Sequence, residues 1–302
     1  MLTIFALPKP FKGHIGAIQR NAISQWTRLN PKPEILLFGD EQGTAEIAQE
    51  YRVLHIPDVR RNQLCTPLLS DLFERAHNLA SNNLLCYVNA DIILLGDFMG
   101  AVRRVASWRD RFLMIGHRTN VDLDQPPVYE SPEQEDRLRA LVSQRGRLAG
   151  SAWIDYFVFP RGPFSTIPAF AIGRPCWDNW MLWRTRKLRA ALVDATDVVL
   201  AVHQDHDYSH HPQGLTGVQG GEEALQNSRL ARGGFCTIDD ATHKLTVDGI
   251  RFHPRPLRSS VKRNAQNWWK RFVIDTGSIR HPLGLRHHNI SRILDRIKAP
   301  LG

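Results

Sequence analysis

LLCYVNADIILL, residues Leu84 to Leu95, is the stretch on which the fold turns. Leu84 to Val88 run without a polar break, as in a strand buried on both faces of a parallel sheet. The triplet Asn89-Ala90-Asp91 then interrupts, and Ile92 to Leu95 resume the apolar run. Polar residues between two such runs cost free energy unless they find partners. Asn89 and Asp91 either bond to local backbone in a turn or present oxygens where an open α/β sheet binds its ligands, beyond the carboxyl ends of the strands.

Upstream, the chain alternates strand and helix. Thr3 to Leu7 reads as a strand, and Ile15, Ile18, Ala22, Ile23, Trp26 and Leu29 recur at helical spacing until Pro31 and Pro33. Glu34 to Phe38 is a second strand closed by Gly39-Asp40, Thr44 to Glu50 a short helix, and Arg52 to Ile56 a third strand. Leu68, Leu69, Leu72, Phe73, Ala76 and Leu79 mark a further helix, with Thr66 as its cap and Pro67 as its first residue. This βαβαβαβ order predicts an α/β fold: a Rossmann-like, mostly parallel sheet flanked by helices. No GxGxxG follows the first strand, so nothing supports a dinucleotide site of the dehydrogenase kind.

Downstream, Phe112 to Gly116, Ile154 to Phe159 and Val198 to Val202 read as strands, and the polar segment 122–147 as loop and helix. A soft boundary lies near 212–221, and the organisation predicted is a main domain over 1–254 with a basic, helical extension over 255–302.

The chemistry-bearing residues gather at strand ends. Asp40 follows the second strand, where a carboxylate can accept from a ribose or a base edge, or simply cap a turn. Asp155 lies within WIDYFVFP and Asp178 within WDNW. A carboxylate among indoles is desolvated and its pKa rises, which suits a general base; as a helix cap Asp178 would serve equally well. VVLAV ends at His203, with Asp205 and His206 following. They form a dense run of ligand-type side chains, or else a polar loop whose histidines make ordinary hydrogen bonds, and the spacing matches no HExxH or zinc-finger pattern. Arg20 and Arg118, ahead of Lys9 and Lys12, are candidates to contact a diphosphate, or else surface charges.

These pieces together resemble the glycosyltransferase-A superfamily of nucleotide-sugar transferases: the first strand and helix, Phe-Gly-Asp at 38–40, and YVNADIIL at 87–94. The NADI, IDYFVFP and WDNW segments are also similar to those of a group of plant and bacterial glycosyltransferases. The likeness covers roughly residues 1–250. It implies transfer of a sugar from a nucleotide-diphosphate donor to an acceptor hydroxyl, with Asp91 and His203 as ligands of Mn²⁺ or Mg²⁺. Asp40 and Asn89 would lie on the donor, and Asp178 or Asp155 at the acceptor. Asn89 departs from the family's Asp-x-Asp pattern, supplying an oxygen without a charge. Two other readings stay open. One is a sugar-phosphate nucleotidyltransferase, against which PKPFKGHIG lacks the expected glycine run. The other is a binding protein on a degenerate transferase fold.

The net charge of +9 belongs to the tail: residues 255–302 hold eleven Lys or Arg against two Asp, and the remainder balances. Trp268 and Trp269 among these basic residues suit a helix lying on a membrane face, or one packed on the main domain; no nucleic-acid motif accompanies the charge. No apolar run reaches membrane-spanning length, and the four scattered cysteines read as reduced thiols of a cytoplasmic protein.

Overall fold

The computed structural model describes residues 1–123, 132–205 and 221–253. The tail expected from residue 255, and His206, lie outside the described residues.

The expected alternation is present. Strands β1 (Leu2–Ala6), β2 (Glu34–Phe38), β3 (Leu54–Ile56) and β4 (Leu84–Val88) alternate with helices α1 (Gly13–Trp26), α2 (Thr44–Tyr51) and α3 (Leu69–Leu79). There follow β5 (Ile92–Leu94), α4 (Asp97–Trp108), β6 (Phe112–Ile115), β7 (Arg118–Val121), α5 (Pro132–Arg145), β8 (Arg147–Leu148) and β9 (Tyr156–Pro160). The chain continues through α6 (Trp177–Lys187), β10 (Ala191–Asp194), β11 (Ala201–Gln204), α7 (Glu222–Ala231), β12 (His243–Thr246) and β13 (Gly249–Phe252).

Nine strands form one sheet in the order β13-β12-β10-β6-β9-β4-β1-β2-β3. Most neighbours are parallel, but β9 runs antiparallel to both β4 and β6, and β13 antiparallel to β12. A second sheet, β5-β11-β7-β8, stands beside it. The alternation of β1 accounts for the two-sided core. Leu2, Ile4 and Ala6 join the cluster under α1 and α4, whereas Phe5 points into the other, with Phe73, Tyr87 and Trp177. Each such buried side chain contributes roughly 1.5–3 kcal/mol, and the helices cover both faces.

Several boundaries differ from those read in the sequence. Thr66 and Pro67 do not start α3. Pro67 bridges Arg61 and Leu68 bridges Ala171, so the backbone stays extended through Leu68, which caps the helix. α1 ends at Trp26, although Leu29 beyond it remains buried. The strand expected from Arg52 starts at Leu54, because Arg52 terminates α2 in the left-handed region (φ 53°). The strand expected over Val198–Val202 lies at Ala201–Gln204, where it can pair with β5 and β7.

Candidate functional site

Because β9 is antiparallel to β4, with Val88 opposite Tyr156, the residue after β4 and the residue before β9 meet at one edge of the sheet. The Asn89 amide donates to the Asp155 carbonyl at 2.9 Å, and Asn89 Nδ2 donates to Asp155 Oδ1 at 2.6 Å. The Tyr87 hydroxyl donates to Asn89 Oδ1 at 3.0 Å. Asp155 Oδ2 accepts from Arg118 Nη1 at 3.0 Å, and Arg118 Nε donates to Asn120 Oδ1 at 2.9 Å. The side chains of Arg118 and Asp155 are only 11% and 7% exposed, so this ion pair is shielded from solvent and its neighbouring amides occupy its other groups.

The second sheet builds the other half of the cluster. β11 pairs with β5 so that His203 stands opposite Ile92, one residue past Asp91. His203 Nε2 lies 3.9 Å from Asp91 Oδ2, and His203 Nδ1 lies 3.7 Å from Asp205 Oδ1. The register is pinned by Gln204. Its Nε2 donates to the Ile18 carbonyl at 2.8 Å and the Asp91 carbonyl at 3.2 Å, while its Oε1 accepts from Asn21 at 2.7 Å. Trp26 Nε1 donates to the Ile92 carbonyl at 2.9 Å, tying α1 to the same turn.

Asp178 arrives from α6. It is not the cap expected from the sequence: Cys176 (φ 85°) occupies that position, and Asp178 sits in the first turn, with Oδ1 accepting from the Asn179 amide at 2.9 Å. Burial pushes its carboxyl up to about 7, and the charge of Asp155 adds to the rise, against the backbone bond. Tyr87, T-shaped to Trp177 at 5.2 Å, also has its pKa raised, by burial and then by Asp91, Asp155 and Asp178. One hydroxyl thus feels all three carboxylates.

Gly116, just after β6, lets the Tyr156 hydroxyl pack against the backbone: a Cβ there would collide with it.

Other expected residues lie elsewhere. Arg20 is bound through Nη1 to both oxygens of Glu50, at 2.8 and 2.6 Å, across the surface between α1 and α2. Arg118 is engaged with Asp155 rather than held out for a diphosphate. Asp40 lies exposed beyond β2 and pairs with Arg61 at 2.5 Å. Its own backbone amide and then Arg61 hold its carboxyl below the ordinary range. From β9 to β2 are three strand intervals, roughly 14 Å, so Asp40 and Asp155 stand apart along the edge. A separate cavity of about 580 Å³, lined by Asp97, Arg104, His117, Arg139 and Thr196 among others, does not include the Asp91 cluster.

Among the described residues no group of three or more His, Cys, Asp or Glu is disposed to hold a metal ion. Asp91 and His203 stand 3.9 Å apart as one carboxylate and one imidazole, and Mn²⁺ or Mg²⁺ there would need phosphate oxygens or waters in its remaining positions. Tyr87 and Trp153 escaped the sequence reading. Tyr87 reads as core, and its hydroxyl becomes significant only once Asn89 is seen beside it. None of the four cysteines is in a disulfide, and no described helix is long and apolar enough to cross a membrane.

No family model matches the chain, and no curated protein matches it either. Solved structures align with it at low identity. S. aureus TarS with UDP-GlcNAc is 11% identical, with a TM-score of 0.48 over 76% of this chain and 65% of its own. Mannosyl-3-phosphoglycerate synthase from Rubrobacter xylanophilus is 16% identical, with a TM-score of 0.48 over 84% of each chain. Glucosyl-3-phosphoglycerate synthase from Mycobacterium tuberculosis, with Mn²⁺, UDP and phosphoglyceric acid, is 13% identical, with a TM-score of 0.47 over 85% of this chain and 88% of its own. The chain thus spans just under two thirds of the TarS 1-349 fragment and 38% of the longer TarS structure.

Proposed function

We propose that the protein is a glycosyltransferase that moves a sugar from a nucleotide-diphosphate donor to an acceptor hydroxyl. The observation that carries this reading is the convergence of Asp91, His203, Asp155 and Asp178 at one edge of the sheet, with Asp178 titrating near neutrality. A carboxylate with that pKa is suited to accept a proton at physiological pH. Asp155, held by Arg118 and Asn89, positions the turn and the strand that carry the others. Asp40 with Arg61 faces the nucleoside from beyond β2.

Asp91 and His203 would hold a divalent cation with the donor's diphosphate, and such a cation supplies charge neutralisation for a departing phosphate. The chain's own contribution is orientation: Gln204 fixes the Asp91 backbone, β11 fixes His203, and the first turn of α6 fixes Asp178. Asp178 takes the acceptor's proton as the new C–O bond forms and the nucleotide leaves.

A thermal-shift screen against UDP-, GDP-, ADP- and TDP-sugars, with and without Mn²⁺, tests the reading, because a ligand of the native state alone raises the melting temperature. One nucleotide class should stabilise the wild type in the presence of metal, and Asp91→Ala should abolish that response while remaining folded. A full response in Asp91→Ala would remove this residue from the donor site. No response to any nucleotide sugar would leave the transferase reading without support.

A further inference from the structure

Trp153 is 42% exposed and stands two residues before Asp155. A lone exposed apolar side chain is ordinary on a protein surface. The difference here is how firmly this one is held. The Ala149 amide donates to the Arg118 carbonyl at 2.9 Å, and the His117 ring bonds to the Ala149 carbonyl at 2.8 Å. On the other side the Ile238 amide donates to the Ser151 carbonyl, and the Ser151 hydroxyl to Asp239, both at 2.9 Å. The Trp153 amide closes the turn onto the Gly150 carbonyl at 3.0 Å. The Arg118 guanidinium lies 5.0 Å from the centre of the indole, while its Nη1 grips Asp155. A large, partly wet aromatic face is therefore braced against the most tightly tied ion pair of the site.

We infer that Trp153 is a stacking platform for a pyranose ring of a carbohydrate acceptor, setting the C–H face of the sugar against the indole and a hydroxyl towards Asp178; this rests on the transferase reading above. Position argues for the acceptor rather than the nucleoside. Trp153 precedes β9, whereas Asp40 follows β2, roughly 14 Å further along the sheet edge. Charge argues for an uncharged ring. Asp155 already pairs with Arg118, and Asp91, Asp155 and Asp178 are all close enough to act on the Tyr87 hydroxyl, so an anionic acceptor meets like charge. A sugar presents an apolar C–H face for the indole and hydroxyls for the carboxylates, the mixture that concave sites with aromatic walls select.

The test is saturation-transfer NMR on the full chain. The probes are the methyl glycosides of glucose, galactose, mannose and N-acetylglucosamine, with myo-inositol and 3-phosphoglycerate as controls. Saturation should reach the ring C–H protons of at least one glycoside. Trp153→Ala and Trp153→Leu should weaken that contact at least about fivefold, whereas Trp153→Phe should keep most of it, as loss of an aromatic pair of about 1 kcal/mol implies. Comparing Leu with Phe separates the aromatic face from mere bulk, and serves even if the alanine variant misfolds. The platform is overturned if no glycoside contacts the wild type, if Trp153→Leu binds as the wild type does, or if myo-inositol or 3-phosphoglycerate binds as strongly as the glycosides. The nucleotide-sugar thermal shift reports separately on the parent reading. A nucleotide response without Trp153-dependent glycoside contact keeps the transferase and loses the platform, and the reverse pattern loses the transferase and with it the acceptor role, leaving Trp153 a sugar contact only.

Discussion

The start of β9 and the first turn of α6 each bring one aspartate to the same edge of the sheet, and the two carboxylates end in opposite conditions. Asp155 is held by Arg118 on one oxygen and Asn89 on the other. Asp178 accepts from the Asn179 amide in its own turn, and burial, with the charge of Asp155 nearby, raises it to about 7. The same residue type is thus tied into an ion pair in one place and pushed up by burial in the other, because surroundings and not identity set what a carboxyl does.

The largest effect that would sharpen this contrast is on turnover. Asp178→Asn should lower kcat for sugar transfer by roughly 10²–10⁴-fold, the usual range for a general base, with the fold intact by circular dichroism. Near-normal turnover in Asp178→Asn would break the assignment.

Asp155 should fail differently. Arg118→Met removes the cation and leaves a shielded carboxylate uncompensated, so denaturant unfolding should show a loss of about 3 kcal/mol. A loss below about 1 kcal/mol would mean that the pair is more solvated than its 11% and 7% exposures imply.

Acidity separates the two sites next. The carboxyl of Asp178 is raised in the folded state, from 3.8 to about 7, so the folded chain binds the extra proton between those values. Its contribution to stability is therefore largest at low pH and is lost as pH rises through that window. Asp178→Asn should be more stable than the wild type at pH 8, by roughly 1–3 kcal/mol, and no less stable at pH 4. Activity runs the other way: kcat/KM should rise with pH through about 7, because the base must be unprotonated. A profile flat from pH 5.5 to 8.5, roughly the window that brackets such a base, would assign the proton to another group.

The smallest effect belongs to Arg20, bound to Glu50 with both side chains 46% exposed. Arg20→Ala should shift stability by less than about 1 kcal/mol and leave the nucleotide-sugar thermal shift unchanged. A lost shift would return Arg20 to the donor site.

Legibility followed locality. The run Leu84–Val88, the turn Asn89-Ala90-Asp91 and the alternation up to β4 could be read because a buried parallel strand and an amphipathic helix each write their own period into the chain. Asp91, His203, Asp155 and Asp178 could be singled out because polar residues flanked by apolar runs or indoles are costly without a role. The partner of Arg20 was not legible because helical position does not say which neighbour a long side chain reaches, and α2 supplied Glu50. Thr66-Pro67 looked like a helix start until two bridges to distant residues kept that segment extended.

The sequence by itself determined the layered α/β fold and the residues rich in chemistry, since both follow from short-range pattern and the cost of burying polar groups. Only the tertiary structure decided which of them meet. β9 entered antiparallel between β4 and β6, which set Asp155 against Asn89 and Arg118, and β11 paired with β5, which set His203 beside Asp91. Strand order and register are settled by packing between segments far apart in the chain, and no local period records them.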